Sequence, residues 1–160
     1  MKNNLNNIYN NTNVLITGHT GFKGSWLTLW LQELGANVIG YSLDPPTEPN
    51  LFSAAKLGED MVSINGDVTN LDKVLSIFQE FKPTIVFHLA AQSLVLKSYQ
   101  DPLETFQTNI IGTTNVLEAI RKTQSVNSFI NVTSDKCYKN DEKSIAFKED
   151  DRLGGNDPYS

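Results

Sequence analysis

The junction at residues 14–25, where Val-Leu-Ile-Thr runs straight into Gly-His-Thr-Gly-Phe-Lys-Gly-Ser, constrains this chain more than any other stretch. A short β-branched run that ends in a glycine turn and passes into a helical period is the entry to a parallel βαβ unit. Two kinds of phosphate cradle carry glycines of this sort. A Walker A loop needs Gly, four residues, then Gly-Lys-Ser/Thr, because its lysine reaches the terminal phosphates from the helix start. Here Lys23 precedes Gly24, and that order fails. Gly18, Gly21 and Gly24 instead satisfy a Gly-x-x-Gly-x-x-Gly turn, a respacing of the dinucleotide fingerprint. Gly18 would permit the tight turn, Gly21 the approach of backbone to a pyrophosphate, and Gly24 close packing of the helix, whose N-terminus faces the negative charge. A glycine-rich connection without a ligand is the alternative that the spacing leaves open.

The rest of the chain alternates strand and helix. The period of Trp26, Leu27, Trp30, Leu31 and Leu34 predicts a helix over 25–34 that packs by this face and ends at Gly35. A strand follows at 37–43, then DPPTEPN, a loop by its three prolines, and at most a short helix over 51–57. A strand at 61–64 leads to a helix opened by a capping-box variant, Thr69 to Asp72, with Leu71, Val74, Leu75, Phe78 and Phe81 on one face and Pro83 closing it. After a strand at 84–89, Asp101-Pro102 opens a helix of about twenty residues, with Leu103, Phe106, Ile110, Leu117 and Ile120 on one stripe. A fifth strand lies at 129–133, beyond which periodicity vanishes. Five alternations argue for an α/β doubly wound parallel sheet, a Rossmann-type domain over 14–160 behind a flexible lead-in over 1–13.

Composition removes several classes of function. The 160 residues suit one domain, and 13 basic against 18 acidic residues, a net charge of -5, offer no cluster for nucleic acid. No apolar run approaches the roughly 18 residues of a membrane span, and the first thirteen residues, seven of them asparagine, do not form a signal peptide. The lone Cys137 excludes an internal disulfide and has no partner at metal-ligand spacing, which points to a reducing, cytoplasmic setting and no metal.

Ligands on doubly wound sheets bind at the carboxyl ends of the strands, so chemistry is expected just after residues 17, 43, 64, 89 and 133. Asp44, twenty residues past Gly24, stands where a carboxylate accepts from both ribose hydroxyls of an adenosine, although an aspartate before proline also starts turns. That carboxylate favours NAD over NADP by repelling a 2′-phosphate, while Lys23 pulls the other way. Asp67 of Gly66-Asp67-Val68 could accept from an adenine amino group or cap the following helix. His88, at a strand's inner end, reads as a hydrogen-bonded core histidine. Thr133-Ser-Asp-Lys-Cys-Tyr138 is the most polar cluster at a ligand edge; Asp135 and Lys136 form either a solvated pair or an acid and a base.

GHTGFKGSWL, LDPPTEPNLF, HLAAQ, TNIIGT, TSDKCY and the closing DPYS together resemble the extended short-chain dehydrogenase/reductases, and within them the CDP-glucose 4,6-dehydratases. The resemblance covers residues 14–160 and implies NAD held by Gly18, Thr20, Gly21, Phe22, Lys23, Gly24, Asp44, Asp67, Val68, Leu89, Ala90, Ala91, Gln92, Asn109 and Thr133. It also implies CDP-glucose as substrate, a cytoplasmic homo-oligomer (a dimer), and conversion to CDP-4-keto-6-deoxyglucose on the way to deoxysugars of bacterial lipopolysaccharide O-antigen. Carbon 4 is oxidised by hydride passing to NAD, water leaves across carbons 5 and 6, and the hydride returns to carbon 6. Tyr159 would take the 4-hydroxyl proton, Ser134 bond the 4-oxygen and Asp135 protonate the departing 6-hydroxyl. Lys136, where related dehydratases carry glutamate, would remove the carbon 5 proton and must be neutral, hence desolvated, to do so. The lysine of the family's Tyr-x-x-x-Lys pair falls beyond Ser160, so the 160 residues are expected to be an inactive fragment that lacks the substrate lobe and self-associates through exposed apolar surface. Another sugar-nucleotide dehydratase or an epimerase, and a non-catalytic NAD-binding domain, are the alternatives.

Overall fold

A computed structural model describes residues 8–140 and 146–160. The chain runs β1 (Asn13–Thr17), α1 (Phe22–Glu33), β2 (Asn37–Ser42), α2 (Leu51–Ala54), β3 (Val62–Asn65), α3 (Leu71–Phe81), β4 (Ile85–His88), α4 (Val95–Gln100), α5 (Pro102–Phe106), a π-helical turn (Gln107–Gly112), α6 (Thr113–Thr123) and β5 (Ser128–Asn131). All strand pairs are parallel, in the order β3-β2-β1-β4-β5. Consecutive strands first step one way from β1 and then, after β3, cross to its other side, which makes the β1/β4 boundary the topological switch point.

Strand alternation divides the core. Leu15 of β1 joins Ile39, Tyr41 and Val86 beneath α3 and α6, together with Val74, Ile77, Phe78, Val116 and Ala119. Its neighbours Val14 and Ile16 point to the opposite face, with Leu31 of α1 and Val38. The two-layered covering expected of a parallel sheet is therefore present.

Two helix faces depart from the sequence expectation. In α1 the buried residues are Gly24, Ser25, Thr28 and Leu31, whereas Trp26 and Trp30 are 52% and 59% exposed. The long segment after Asp101 likewise buries Thr105, Gly112, Asn115, Val116 and Ala119, while Leu103, Phe106, Ile110 and Leu117 face outward. The cause is distance. A helix that starts in a tight turn lies close against the sheet and fits only small side chains there; a β-carbon on Gly24 would lie 2.0 Å from the Gly18 carbonyl oxygen, and one on Gly112 2.6 Å from Val68. The longest predicted helix is also not uniform, since the π turn at 107–112 shifts its face midway.

Smaller differences concern caps and ends. α3 is capped by Asn70, whose side chain accepts from the Lys73 amide, one residue later than the Thr69 box. Helix α4 has no counterpart among the expected elements. Of the expected lead-in, residues 1–7 lie outside the described residues. Residues 8–12 are tied down: Asn11 N–H donates to the Gly35 carbonyl, Asn37 N–H to that of Thr12, and Tyr9 packs on the α1 side of the sheet. Beyond β5, a bridge between Tyr138 and Leu153 and stacking of Tyr138 on Phe147 fold the aperiodic tail back on itself. No helix among the described residues is long and apolar enough to cross a membrane.

Candidate functional site

At the switch point the chain leaves β1 through Gly18, whose φ of +76° is the left-handed region open to glycine. A β-carbon here would also strike the Leu89–Ala90 backbone at 2.8–2.9 Å, so the first glycine lets the exits of β1 and β4 touch. Gly21 differs. It is the N-cap of α1, and a β-carbon on it would meet nothing nearer than the Gly18 carbonyl oxygen at 3.4 Å. No side chain caps α1 and no acidic residue stands in its first turn, whereas Asn70 caps α3 and Asp101 caps α5. The first amides of α1 thus present a partial positive charge without an intramolecular acceptor, beside a backbone with no side chain in the way. That is the geometry of an anion cradle, and a dinucleotide's diphosphate fits it.

Thr17, absent from the expected site residues, organises the β4 side. Its Oγ1 accepts from the amides of Leu89 and Ala90, each at 3.2 Å, and lies 2.6 Å from His88 Nδ1. With both amides donating to Thr17, its hydroxyl proton goes to Nδ1, leaving His88 neutral with hydrogen on Nε2, 3.0 Å from Thr113 Oγ1. Burial agrees, holding His88 down at about 4. His88 is the hydrogen-bonded core histidine expected from its position. Polar residues that end buried strands were the available signal for Thr17.

Gln92 and Asn109 are brought together. The Gln92 amide donates to Asn109 Oδ1 at 2.8 Å, and Asn109 Nδ2 donates to the Gln92 carbonyl at 3.0 Å, a reciprocal clamp between the Ala90-Ala91 segment and the π turn. Their side chains hold this rim in shape. Ala91 is exposed and Leu89 and Ala90 are half-buried.

On the other side of the switch, Thr20 Oγ1 donates to the Leu43 carbonyl at 2.8 Å and lies 2.6 Å from Ser42 Oγ, pinning the glycine turn to the end of β2. Asp44 is exposed at that edge and accepts a 2.6 Å hydrogen bond from Asn65 Nδ2. Asp67 accepts from the Thr69 amide through Oδ1 and from the Tyr41 hydroxyl through its carbonyl, which makes it a cap of the turn before α3. Burial, reinforced by the Asp67 charge, pushes the Tyr41 hydroxyl up to about 12. Val68 is buried in the core. Phe22 and Lys23 are exposed on the first turn of α1.

After β5, Thr133 is exposed, and Ser134 Oγ accepts from the Lys136 amide to cap a short 3-10 turn, Asp135–Cys137. Asp135 and Lys136 share a cleft with Asp157 and Ser160. Asp157 accepts from the amides of Tyr159 and Ser160 and from the Ser160 hydroxyl. That hydroxyl is the main cause of its carboxyl lying below the usual range. The Asp-Pro-Tyr-Ser segment is thus arranged as a helix start, with Tyr159 half-buried. Lys136 is exposed, so the burial expected to neutralise it is not supplied by these residues.

The family model described as GDP-mannose 4,6 dehydratase matches residues 15–160. A CDP-glucose 4,6-dehydratase of Salmonella typhimurium is 49% identical over 154 residues, covering 96% of this chain and 43% of that protein. A dTDP-glucose 4,6-dehydratase of Xanthomonas campestris is 31% identical over 157 residues, 91% of this chain and 44% of the relative. Among solved structures, the UDP-glucose 4-epimerase of Thermus thermophilus in complex with NAD superposes with a TM-score of 0.80 at 27% identity, over 92% of this chain and 46% of that one. The chain spans less than half the length of each.

Proposed function

The chain belongs to the GDP-mannose 4,6-dehydratase family, and from that premise we propose that it carries the cofactor half of an NAD-dependent CDP-glucose 4,6-dehydratase. The single observation that carries the reading is the uncapped, unobstructed start of α1 at the switch point, where Gly21 leaves the helix amides open to a diphosphate. Gly18 and Gly24 close the turn beneath it, and with NAD bound Asp44 would hold the adenosine ribose and the Leu89–Gln92 segment would help to hold the nicotinamide half. NAD supplies the acceptor for the hydrogen leaving carbon 4 and the donor for the hydrogen returned to carbon 6.

The chain's own residues handle protons. Tyr159 accepts that of the 4-hydroxyl, and Ser134 donates to the resulting 4-oxygen. The carbonyl acidifies carbon 5; Lys136, exposed in these residues and neutral only once substrate and the substrate lobe cover it, removes the carbon 5 proton and returns it when hydrogen reaches carbon 6, and Asp135 protonates the 6-hydroxyl, which departs as water. One water is lost per sugar with no net oxidation. Support for CDP-glucose over other nucleotide sugars comes from Ser134-Asp135-Lys136 together with the 49% identical relative. A homodimer and a cytoplasmic setting belong to the same proposal; the outward apolar row on α5–α6 and the lone Cys137 support them.

The test has two parts. NAD titrated into the protein should bind, and the Gly21→Asp variant should not. With the remainder of the family's substrate lobe in place, CDP-glucose should lose one water to give the 4-keto-6-deoxy sugar, while UDP-, GDP- and dTDP-glucose turn over far more slowly. An epimer of unchanged mass as product, or no NAD binding, refutes the reading.

A further inference from the structure

Asn65, the last residue of β3, enters the site only as the donor to Asp44. It stands in register with Ser42, the last residue of β2, and the next amide, that of Gly66, donates to the Ser42 carbonyl. Its backbone is therefore held by pairing to β2, at the edge of the sheet. Asp44 lies two residues beyond the sheet, in a connection continued by Pro45 and Pro46. The 2.6 Å hydrogen bond from Asn65 Nδ2 to Asp44 Oδ1 ties this loop carboxylate to the rigid sheet edge.

We propose that Asn65 is a positioning residue for cofactor choice: it holds one carboxylate oxygen of Asp44 so that the other faces the ribose hydroxyls, and it does so without adding charge. The proposal rests on the dinucleotide reading above and concerns how that site separates NAD from NADP. An amide donor orients a carboxylate while leaving its negative charge in place, so the 2′-phosphate is still repelled. A lysine or arginine here would orient Asp44 equally well, yet would neutralise it and offer the 2′-phosphate a partner. The one cation near the glycine turn, Lys23, is exposed on α1 and makes no ion pair among the described residues. The neutral tie at Asn65 thus leaves Asp44 as the deciding charge.

Equilibrium titration of the protein with NAD and NADP, with ADP-ribose and its 2′-phosphate as probes of this half alone, tests the assignment. Asn65→Ala should weaken NAD about three- to tenfold, the scale of one charge-assisted hydrogen bond at an exposed site, and lower the NAD-to-NADP preference by a similar factor. On an Asp44→Ala background the same substitution should change neither value, since Asn65 acts through Asp44. Asn65→Leu keeps the branched shape without the amide donor, and gives the same readout should the alanine variant fail to fold. NAD affinity and preference both unchanged in a folded variant overturn the role of Asn65, as does an undiminished effect without Asp44. Failure of the unsubstituted protein to bind NAD overturns the dinucleotide reading instead.

Discussion

Gly21 and Gly24 stand three residues apart and respond oppositely to the same substitution. A methyl on Gly24 meets backbone at 2.0 Å, so Gly24→Ala should cost about 3 kcal/mol of stability. On Gly21 the methyl makes only an ordinary contact, with the Gly18 carbonyl oxygen at 3.4 Å, so Gly21→Ala should cost about 1 kcal/mol or less yet weaken NAD more than tenfold; thermal melts paired with NAD titrations separate the two. The two histidines make a pH prediction. Burial holds both His19 and His88 at about 4, against 6.5 in an unfolded chain. Below pH 6.5 the unfolded chain takes up protons that the folded one refuses, so stability is full above that pH and is lost as pH falls from 6.5 towards 4, by up to about 3 kcal/mol for each histidine. Denaturant melts at pH 7 and pH 4.5 should show the fall, and His88→Gln should remove about half of it, leaving that of His19.

Helix α1 presents Gly24, Ser25, Thr28 and Leu31 to the sheet and its tryptophans outward, and α6 buries Asn115, Val116 and Ala119 with Leu117 outward. Leu31→Ala should therefore cost about 3 kcal/mol, and Trp30→Gln less than about 1 kcal/mol, by chemical denaturation. Iodide should quench most of the tryptophan fluorescence, since Trp26 and Trp30 are the only tryptophans and both are exposed. In α6, Asn115 is buried and donates to the carbonyls of Val68 and Thr69, so Asn115→Ala should cost about 2 kcal/mol by leaving them unpaired. The sequence made these helices legible but not their inner faces. Period identifies a stripe of large apolar residues; whether it turns inward depends on how near the helix lies to the sheet, which the glycine contacts decide. Strand ends were legible to within two residues, and with them the edge where Gly18, Asp44, Asp67 and Ala90 stand. Asn65 and Thr17 were not, because their importance is a hydrogen bond to residues 21 and 71–73 positions distant.

Across the whole molecule, the outward row of Leu103, Phe106, Ile110 and Leu117 is a departure from a self-sufficient fold. If a second copy covers it, as proposed, Leu103→Glu with Ile110→Glu should convert a dimer to a monomer in light scattering while the far-ultraviolet circular dichroism stays that of a folded chain; a wild-type monomer at high concentration would refute the dimer. The order of strands and helices, the glycine cradle and the negative charge at Asp44 were determined by the sequence alone, because each depends on residue type and local spacing. Which helix surfaces meet the sheet, the clamp between Gln92 and Asn109, the neutral tautomer of His88 and the tether from Asn65 to Asp44 were decided only by tertiary structure. Each of these couples segments whose separation along the chain is set by the winding of the sheet, and no local pattern carries that distance.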